Sequence, residues 1–330
     1  MSGRGAARAG ASETEPRPPG PEAVEEARER LRGLVRETPV LTSFGLDTLA
    51  GARLFFKCEN FQRVGAFKFR GAANTLWQLD RSRLRAGVAT HSSGNHGAAL
   101  ALAARLRGVK AYVVMPEDAP EVKKAAVRGY GAEIRFCGRA IESRQETLDA
   151  LVAETGCYPV HPYNDPRIVA GQGTVGLELL EQVPDLDVIV APIGGGGLIS
   201  GIALAAAERG VAVVGAEPSG ADDAYRSLAT GRLQGNRDPR TVADGLLAPI
   251  GPLTFAVIRS HVQEILTVGD EDIVRAMRLI WERLKVVAEP SAAVPLAAVL
   301  AHPDRFAGRR VGIVISGGNV DLDRLPWARR

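Results

Sequence analysis

The stretch VIVAPIGGGGLISGIALA, residues 188–205, decides how the rest of the chain is interpreted. A β-branched apolar run stops at Gly194, Gly195, Gly196 and Gly197 and resumes as a segment rich in alanine and leucine, which predicts a strand, a tight loop and a helix. Glycines let a backbone approach an anion closely, and the free N–H groups of the first helical turn can bind it. The stretch therefore predicts a phosphate-binding loop, with an ordinary strand-to-helix turn as the alternative.

The composition is that of a globular protein with a small-molecule ligand. Of the 330 residues, 45% are hydrophobic and 24% are charged. The 41 basic and 38 acidic residues are well mixed and give a net charge of +3, so no basic block indicates a nucleic-acid or membrane surface. Cys58, Cys137 and Cys157 are too scattered for a disulfide framework, which predicts reduced thiols and a cytoplasmic protein. No apolar stretch approaches the roughly 20 residues that cross a bilayer.

Alternating strand and helix patterns predict an α/β protein. Residues 1–20 are rich in small residues, arginine and proline, which predicts a disordered tail. The remaining alternation is typical of parallel sheets with helices on both faces. We predict two lobes of twisted, mostly parallel sheet: a large domain formed by 21–86 and 165–330, and a small domain formed by 87–164. The ligand is expected in the cleft between them, beyond the carboxyl ends of the strands.

A second glycine pattern, from Gly171 to Gly176, matches that of dinucleotide-binding proteins. That motif needs a preceding strand and an acidic residue on the following strand, yet residues 164–170 contain a proline and no strand pattern, and strand 188–193 ends without a carboxylate. The sequence therefore argues against a nicotinamide-dependent oxidoreductase. That class remains an alternative, as does a binding protein without catalytic activity.

Lys68 is the candidate reactive amine. It stands between Phe67 and Phe69, and aromatic flanks favour a desolvated amine that can act as nucleophile or base near neutral pH. A solvated side chain is the alternative. A reactive lysine and a phosphate loop together indicate pyridoxal phosphate, which needs a lysine for its aldehyde, an anion site for its phosphate and a partner for its ring nitrogen.

Two further loops follow predicted strands. The loop 92–97 opens a helix, whose N–H groups can hold a substrate carboxylate or form an ordinary N-cap. Ser316 follows the strand 311–315 and offers a hydroxyl to the pyridine nitrogen. A neutral partner leaves that nitrogen less protonated than a carboxylate would, which suits elimination or stepwise proton transfer.

Together these motifs resemble those of the serine/threonine dehydratase and serine racemase family, pyridoxal-phosphate enzymes with the fold of the tryptophan synthase β-subunit. The resemblance covers residues 22–325. It rests on four motifs in the same order: NFQRVGAFKFRG at 60–71, SSGNHG at 92–97, GGGG at 194–197 and SGGN at 316–319.

The resemblance implies a role for each motif. Lys68 is expected to bind the cofactor covalently, and Gly194 to Gly197 with Leu198 are expected to hold its phosphate. Asn95 is expected to bond the ring hydroxyl, and Ser316 to meet the ring nitrogen.

Two features are similar to the serine racemases within this family. Ser93 stands where threonine-biosynthesis dehydratases typically have alanine, and it is expected to act as a second base opposite Lys68, because inversion needs a group on each face of the planar intermediate. A later acidic segment resembles the racemases' divalent-cation site, with Glu217, the carbonyl of Ala221 and Asp223 as ligands for Mg²⁺, Ca²⁺ or Mn²⁺. An exposed acidic turn that caps a helix is the alternative.

Two positions depart from the racemase pattern. Tyr163 stands where mammalian serine racemases have an asparagine. Arg63 stands where animal racemases have a lysine near their nucleotide site, which argues against activation by ATP. The family also implies a homodimer, and neither a nucleic-acid nor a membrane partner is expected.

The predicted reaction is racemisation of L-serine to D-serine together with its dehydration to pyruvate and ammonia. The alternative is a dehydratase of L-threonine or 3-hydroxyaspartate with little racemase activity. The five histidines are predicted to be satisfied or solvated, since His91 and His96 are separated by a loop and the others stand alone in the sequence.

Overall fold

Two sheets and the helices that cover them make up the described part of the chain. The computed structural model describes residues 17–92, 94–119, 121–138, 140–236 and 238–328, apart from the side chains of Val122 and Ile141. Ser93 lies outside these residues, and so does the predicted tail except for positions 17–20.

The elements assigned within these ranges alternate along the chain. The strands are β1 (Val40–Leu41), β2 (Arg53–Cys58), β3 (Val88–His91), β4 (Ala111–Pro116), β5 (Glu133–Cys137), β6 (Tyr158–Pro159), β7 (Val188–Pro192), β8 (Ala212–Pro218), β9 (Glu264–Val268) and β10 (Arg310–Ile315). The helices are α1 (Pro21–Leu31), α2 (Phe44–Ala50), α3 (Lys68–Gln78), α4 (Asn95–Arg107), α5 (Glu121–Gly129), α6 (Ile141–Thr155), α7 (Pro166–Gln182), α8 (Gly197–Ala206), α9 (Asp223–Thr230), α10 (Pro252–His261), α11 (Asp270–Leu284), α12 (Pro290–Ala301) and α13 (Pro303–Phe306).

The larger sheet has the strand order β1-β2-β10-β7-β8-β9 among the described residues. Only the edge pair β1 and β2 is antiparallel there; the other neighbours are parallel. Alternate residues of its central strands enter different cores: Val188 and Val190 pack with the α11 and α12 side, whereas Ile189 and Ala191 pack with the α7 and α8 side. Apolar residues on both faces explain why β7 is an uninterrupted apolar run.

The smaller sheet has the order β5-β4-β3-β6 and is entirely parallel among the described residues. Val113 and Met115 face a core shared with α3 and α4, and Val114 faces Leu148 and Leu151 of α6. Both sheets are therefore covered on two faces, which confirms the predicted α/β class. The proposed boundaries between two domains stay a prediction.

The glycines of the dinucleotide-like pattern lie inside α7, not in a loop after a strand. A Cβ atom at Gly171 would lie 2.7 Å from the Cα atom of Gly71 on α3, and one at Gly173 would lie 2.7 Å from the carbonyl oxygen of Gly201 on α8. These glycines therefore allow three helices to pack closely. The pattern forms no dinucleotide-binding loop, and packing against the neighbouring helices outweighs the poor helix propensity of glycine.

No helix in the described ranges has both the length and the apolar character needed to cross a bilayer.

Candidate active site

Lys68 is the first residue of α3 and lies where the predicted motifs meet. Its Nζ atom donates a hydrogen bond to the carbonyl oxygen of Pro162 at 3.0 Å and lies 5.2 Å from the centre of the Phe67 ring. The side chain is half-buried. Burial lowers the pKa of Lys68 to about 8, against the opposing effect of the Glu289 carboxyl. About a tenth of this amine is therefore unprotonated at pH 7, far more than for an ordinary lysine.

The glycine loop lies between β7 and α8, as the sequence predicts. Gly196 has a φ of +83°, a conformation that favours glycine. A Cβ atom at Gly195 would lie 2.3 Å from the Tyr163 ring, so no side chain fits there without displacing the ring. The N–H groups of the first turn of α8 have no acceptor within the helix, so they are available to an anion.

The loop and the amine lie on either side of one short segment. Pro162 accepts the hydrogen bond from Lys68, and the next residue, Tyr163, packs its ring on Gly195. Thr254 further holds the loop, because its hydroxyl donates to the carbonyl oxygen of Gly195 at 2.9 Å. An anion at the loop and an aldehyde at Lys68 can therefore belong to one small molecule.

Asn95 and Ser316 reach the same region from different elements. Asn95 begins α4, and its Nδ2 atom donates to Glu289 Oε1 at 2.8 Å. Ser316 directly follows β10 and is buried, and its carbonyl oxygen accepts a hydrogen bond from the N–H of Phe67 at 3.1 Å. Asn95 is thus linked to the Lys68 region through Glu289, whose charge affects the pKa of Lys68, and Ser316 is linked to it through Phe67, the residue before Lys68.

A buried ion network supports the first turn of α3. The Arg70 guanidinium donates to both oxygens of Glu59, each at 2.8 Å, and to both oxygens of Glu178, at 2.6 and 2.8 Å. Lys57 also donates to Glu178 at 2.8 Å. The positive charges of Arg70 and Lys57 balance the negative charges of Glu59 and Glu178. Because the guanidinium makes paired hydrogen bonds to both carboxylates, it holds the start of α3 against α7 and the end of β2.

Two carboxyl residues of the acidic segment, Glu217 near the end of β8 and Asp223 at the start of α9, are buried, whereas the alternative was an exposed turn. Glu217 and Asp223 have exposed fractions of 0% and 1%. Glu217 does cap a helix, since its carboxyl oxygens accept hydrogen bonds from the N–H groups of Ala224 at 3.1 Å and Tyr225 at 2.9 Å in the first turn of α9. Capping and cation binding are compatible, because each carboxyl oxygen has more than one lone pair.

The same two carboxyls have the electrostatics of an oxygen-ligand cation site. Burial raises the pKa of Glu217 to about 8 and that of Asp223 to about 6. Oδ1 of Asp223 is buried and has no hydrogen-bond partner among the described residues. In the described ranges, this segment included, no three His, Cys, Asp or Glu side chains are grouped so that side chains alone could hold a metal ion. Two buried carboxyls are oxygen ligands of the kind that a divalent cation prefers, and the carbonyl of Ala221 stays a predicted third ligand.

Three histidines that are separated in the sequence, His91, His96 and His161, lie close to one another, and His96 and His161 lie near enough to Lys68 for its charge to affect their pKa values. The rings of His91 and His161 have centroids 6.3 Å apart. Burial lowers the pKa of His161 to about 4, and burial together with the Lys68 amine lowers the pKa of His96 well below its usual value. Nδ1 of His161 accepts from the N–H of Asn164 at 2.8 Å, which places the proton of the neutral ring on Nε2. The cluster therefore presents neutral imidazoles to the site.

Sequence patterns gave no indication of Glu289 or of Thr254. Glu289 precedes Pro290 at the start of α12, and an acidic residue before a helix-starting proline is indistinguishable in sequence from any exposed N-cap. The structure buries it next to Asn95, which is 194 residues away in the chain.

Together, the half-buried amine, the anion-binding glycine loop and the buried Ser316 form a site for a phosphorylated aldehyde cofactor. The residues present fit pyridoxal phosphate, because the free N–H groups at the start of α8 can bind its phosphate and because the Lys68 amine, with a pKa of about 8, is partly neutral near pH 7.

Comparison with known proteins gives the same class. Residues 31–317 match the family model described as pyridoxal-phosphate dependent enzyme, and the chain belongs to this family. It is 54% identical to a β-hydroxyaspartate dehydratase of Paracoccus denitrificans, over 91% of this chain and 96% of the relative. It is 47% identical to a serine racemase of Dictyostelium discoideum, over 92% and 95%. The solved structure of maize serine racemase superposes with a TM-score of 0.89 at 46% identity, covering 92% of this chain and 94% of that one.

The pKa of Lys68 predicts how cofactor binding depends on pH. Only the unprotonated amine attacks an aldehyde, so the rate at which apoenzyme acquires visible absorption after mixing with pyridoxal phosphate should rise about tenfold per pH unit below pH 8 and level off above it. Stopped-flow measurements between pH 6 and 10.5 test this. A rate that continues to rise to pH 10.5 would contradict the lowered pKa.

Proposed function

We propose that this enzyme acts on L-serine, forming D-serine by racemisation and pyruvate with ammonia by dehydration. The observation that carries the proposal is the Lys68 amine, with its pKa of about 8, held at one end of a cofactor site whose other end is the glycine loop. The serine racemases among the relatives support the choice of substrate. The neutral hydroxyl of Ser316 suits proton transfer and elimination at a weakly protonated ring.

The residues divide the work as follows. Pyridoxal phosphate, when bound, supplies the electron-withdrawing system that acidifies the substrate Cα–H bond. With the cofactor bound, the free amine of Lys68 would take up that proton on its own face. Ser93, outside the described residues, is proposed to deliver a proton on the opposite face. The neutral imidazole of His96 adds no positive charge that would disfavour protonated Lys68.

Product analysis tests the proposal. Purified protein is incubated with L-serine, pyridoxal phosphate and Mg²⁺, and pyruvate and D-serine are quantified in the same samples. Formation of both products supports the proposal. Pyruvate without D-serine would show a dehydratase only, and absence of both would contradict an enzyme of L-serine.

A second candidate function is dehydration of 3-hydroxyaspartate, favoured by the relative at 54% identity that is named for this substrate. L-Threonine is the other substrate considered for a dehydratase with little racemase activity. Initial rates of ammonia release from the three amino acids at matched concentrations decide between them. A kcat/KM for 3-hydroxyaspartate about a hundredfold above that for L-serine would replace the first proposal by the second.

Replacement of Ser93 by alanine is expected to abolish D-serine formation while elimination from L-serine continues. The reason is that inversion needs a second proton-transfer group, whereas elimination uses the Lys68 face alone. Chiral chromatography and a pyruvate assay measure both products. As a control, Ser260→Ala changes an exposed serine on α10 and should leave both rates unchanged. D-serine formed by Ser93→Ala at the original rate would assign the second base to another residue.

We also propose that Glu217, Asp223 and the carbonyl of Ala221 bind Mg²⁺ or a similar cation. Saturating Mg²⁺ should raise the thermal unfolding midpoint by about 5 °C, because a ligand present at about 100 times its Kd stabilises a fold by about 2.7 kcal/mol. Glu217→Gln should lose most of this gain, whereas Asp222→Asn, which changes a half-buried neighbour paired with Arg226, should keep it. An equal Mg²⁺ effect in both variants would refute the assignment.

A further inference from the structure

Glu289 has no role in the functions assigned above, although it is a buried carboxyl residue beside the candidate active site. It is the N-cap residue of α12, yet its side chain makes no capping hydrogen bond. Its exposed fraction is 6%, and its Oε1 atom accepts a hydrogen bond from Asn95 Nδ2 at 2.8 Å. A buried carboxyl that does not stabilise its own helix is costly unless it acts elsewhere.

The contacts of Asn95 show what Glu289 does. Oδ1 of Asn95 accepts a hydrogen bond from Nδ2 of Asn319 at 2.9 Å, and the same Nδ2 donates to the carbonyl oxygen of Val64 at 2.7 Å. A backbone carbonyl only accepts, so the amide of Asn319 must present its NH₂ group to Val64 and to Asn95. A carboxylate likewise only accepts, so the NH₂ group of Asn95 must face Glu289. The orientation of both amides is thereby fixed by their chemistry.

This chain of hydrogen bonds connects four segments around Lys68. Glu289 directly precedes α12 on the larger sheet, Asn95 begins α4 on the smaller sheet, Asn319 follows β10, and Val64 lies in the segment before α3. Val64 has a φ of +59°, which is unusual for a β-branched residue and marks a backbone held by its surroundings. The side-chain amide of Asn95 is therefore held by hydrogen bonds at both its nitrogen and its oxygen.

We propose that Glu289 is a positioning residue: it fixes the side-chain amide of Asn95 so that the remaining N–H of Nδ2 is available to the ring hydroxyl oxygen of the cofactor. This inference rests on the proposed contact between Asn95 and the cofactor. It assigns to Glu289 an effect on cofactor affinity and spectrum that passes through Asn95.

The protonation state of Glu289 does not alter this role. Burial and the nearby Asp244 raise its pKa to about 8, while the hydrogen bond from Asn95 and the charge of Lys123 oppose the rise. Lys68 also faces the carboxyl. A neutral carboxylic acid still accepts through its carbonyl oxygen, and the amide oxygen of a glutamine can occupy the same position. Glutamine is thus the conservative replacement.

Binding of pyridoxal phosphate to full-length apoenzyme, followed by equilibrium dialysis and visible spectroscopy, tests the inference. Glu289→Ala should raise the Kd for pyridoxal phosphate about tenfold and shift the visible absorption maximum. The reason is that the Asn95 amide, without its hydrogen bond to Glu289, no longer holds its remaining N–H toward the ring hydroxyl. Glu289→Gln should stay within about twofold of the unchanged protein. In an Asn95→Ala background, Glu289→Ala should have no further effect on the Kd.

The control is Asp244→Asn, which removes another carboxylate near Glu289 that has no hydrogen bond to Asn95 in the structure. It should leave the Kd unchanged. Three results would each overturn the inference: Glu289→Ala binding like the unchanged protein, additive effects of Glu289→Ala and Asn95→Ala, or Asp244→Asn binding as weakly as Glu289→Ala. Failure of the proposed function would look different, because the unchanged protein itself would then bind no pyridoxal phosphate.

Discussion

Replacement of Lys68 by alanine is expected to abolish both D-serine and pyruvate formation and to remove the visible absorption of the bound cofactor. Lys68 is the amine that the structure places next to the glycine loop, and it is assigned two tasks, the covalent attachment of the cofactor and the removal of the Cα proton. Loss of a general base alone typically lowers a rate by a factor of about 10² to 10⁴. Loss of both tasks should bring turnover to the limit of detection.

The measurement is the rate of pyruvate and D-serine formation at saturating pyridoxal phosphate, with circular dichroism to verify the fold. The matched control is Lys110→Ala, which removes an exposed lysine paired with Glu133 and should retain full activity. If Lys68→Ala kept turnover comparable to the control, Lys68 would not be the cofactor lysine.

Replacement of Arg70 by methionine is expected to lower the free energy of unfolding by roughly 3 to 5 kcal/mol. The substitution leaves Glu59 and part of Glu178 buried without their cation, and the cost of an uncompensated buried charge exceeds the value of the ion pair itself. Equilibrium unfolding in guanidinium chloride measures the change. Because α3 begins with Lys68, we also expect weaker binding of pyridoxal phosphate to this variant.

Two variants make the Arg70 result specific. Arg70→Lys keeps the charge but cannot reach both carboxylates with two prongs, so an intermediate loss is expected. Arg278→Met removes an exposed arginine paired with Glu282 and should change the free energy of unfolding by less than about 0.5 kcal/mol. A loss below about 1 kcal/mol for Arg70→Met would show that the network contributes little to stability.

Local sequence patterns predicted the class of fold and the cofactor. The β-branched run before Gly194 and the alanine-rich run after Gly197 form a strand and a helix because each pattern matches the period of its element. The family match confirms the predicted membership among pyridoxal-phosphate enzymes. The family's motifs are short and contiguous in the sequence, which is why they could be found without a structure.

Contacts between distant segments could not be predicted in this way. The histidines at positions 91 and 161 approach each other only because β3 and β6 are neighbours in the smaller sheet. Glu289 reaches Asn95 only because α12 and α4 begin beside the same site. Gly171 and Gly173 resembled a ligand loop, since sequence shows a glycine but not the helix that packs against it. The roles of Ser93, the cation ligands, the homodimer and the cytoplasmic location stay predictions.

The most direct test of the central claim is to reduce the holoenzyme with sodium borohydride, digest it and identify the modified peptide by mass spectrometry. Reduction makes the link between cofactor and lysine permanent, so the label reports which amine carries the cofactor. We predict a phosphopyridoxyl group on Lys68 alone. A label on any other lysine, or no label on a protein that has been saturated with pyridoxal phosphate, would contradict the site; the other lysines are Lys57, Lys110, Lys123, Lys124 and Lys285.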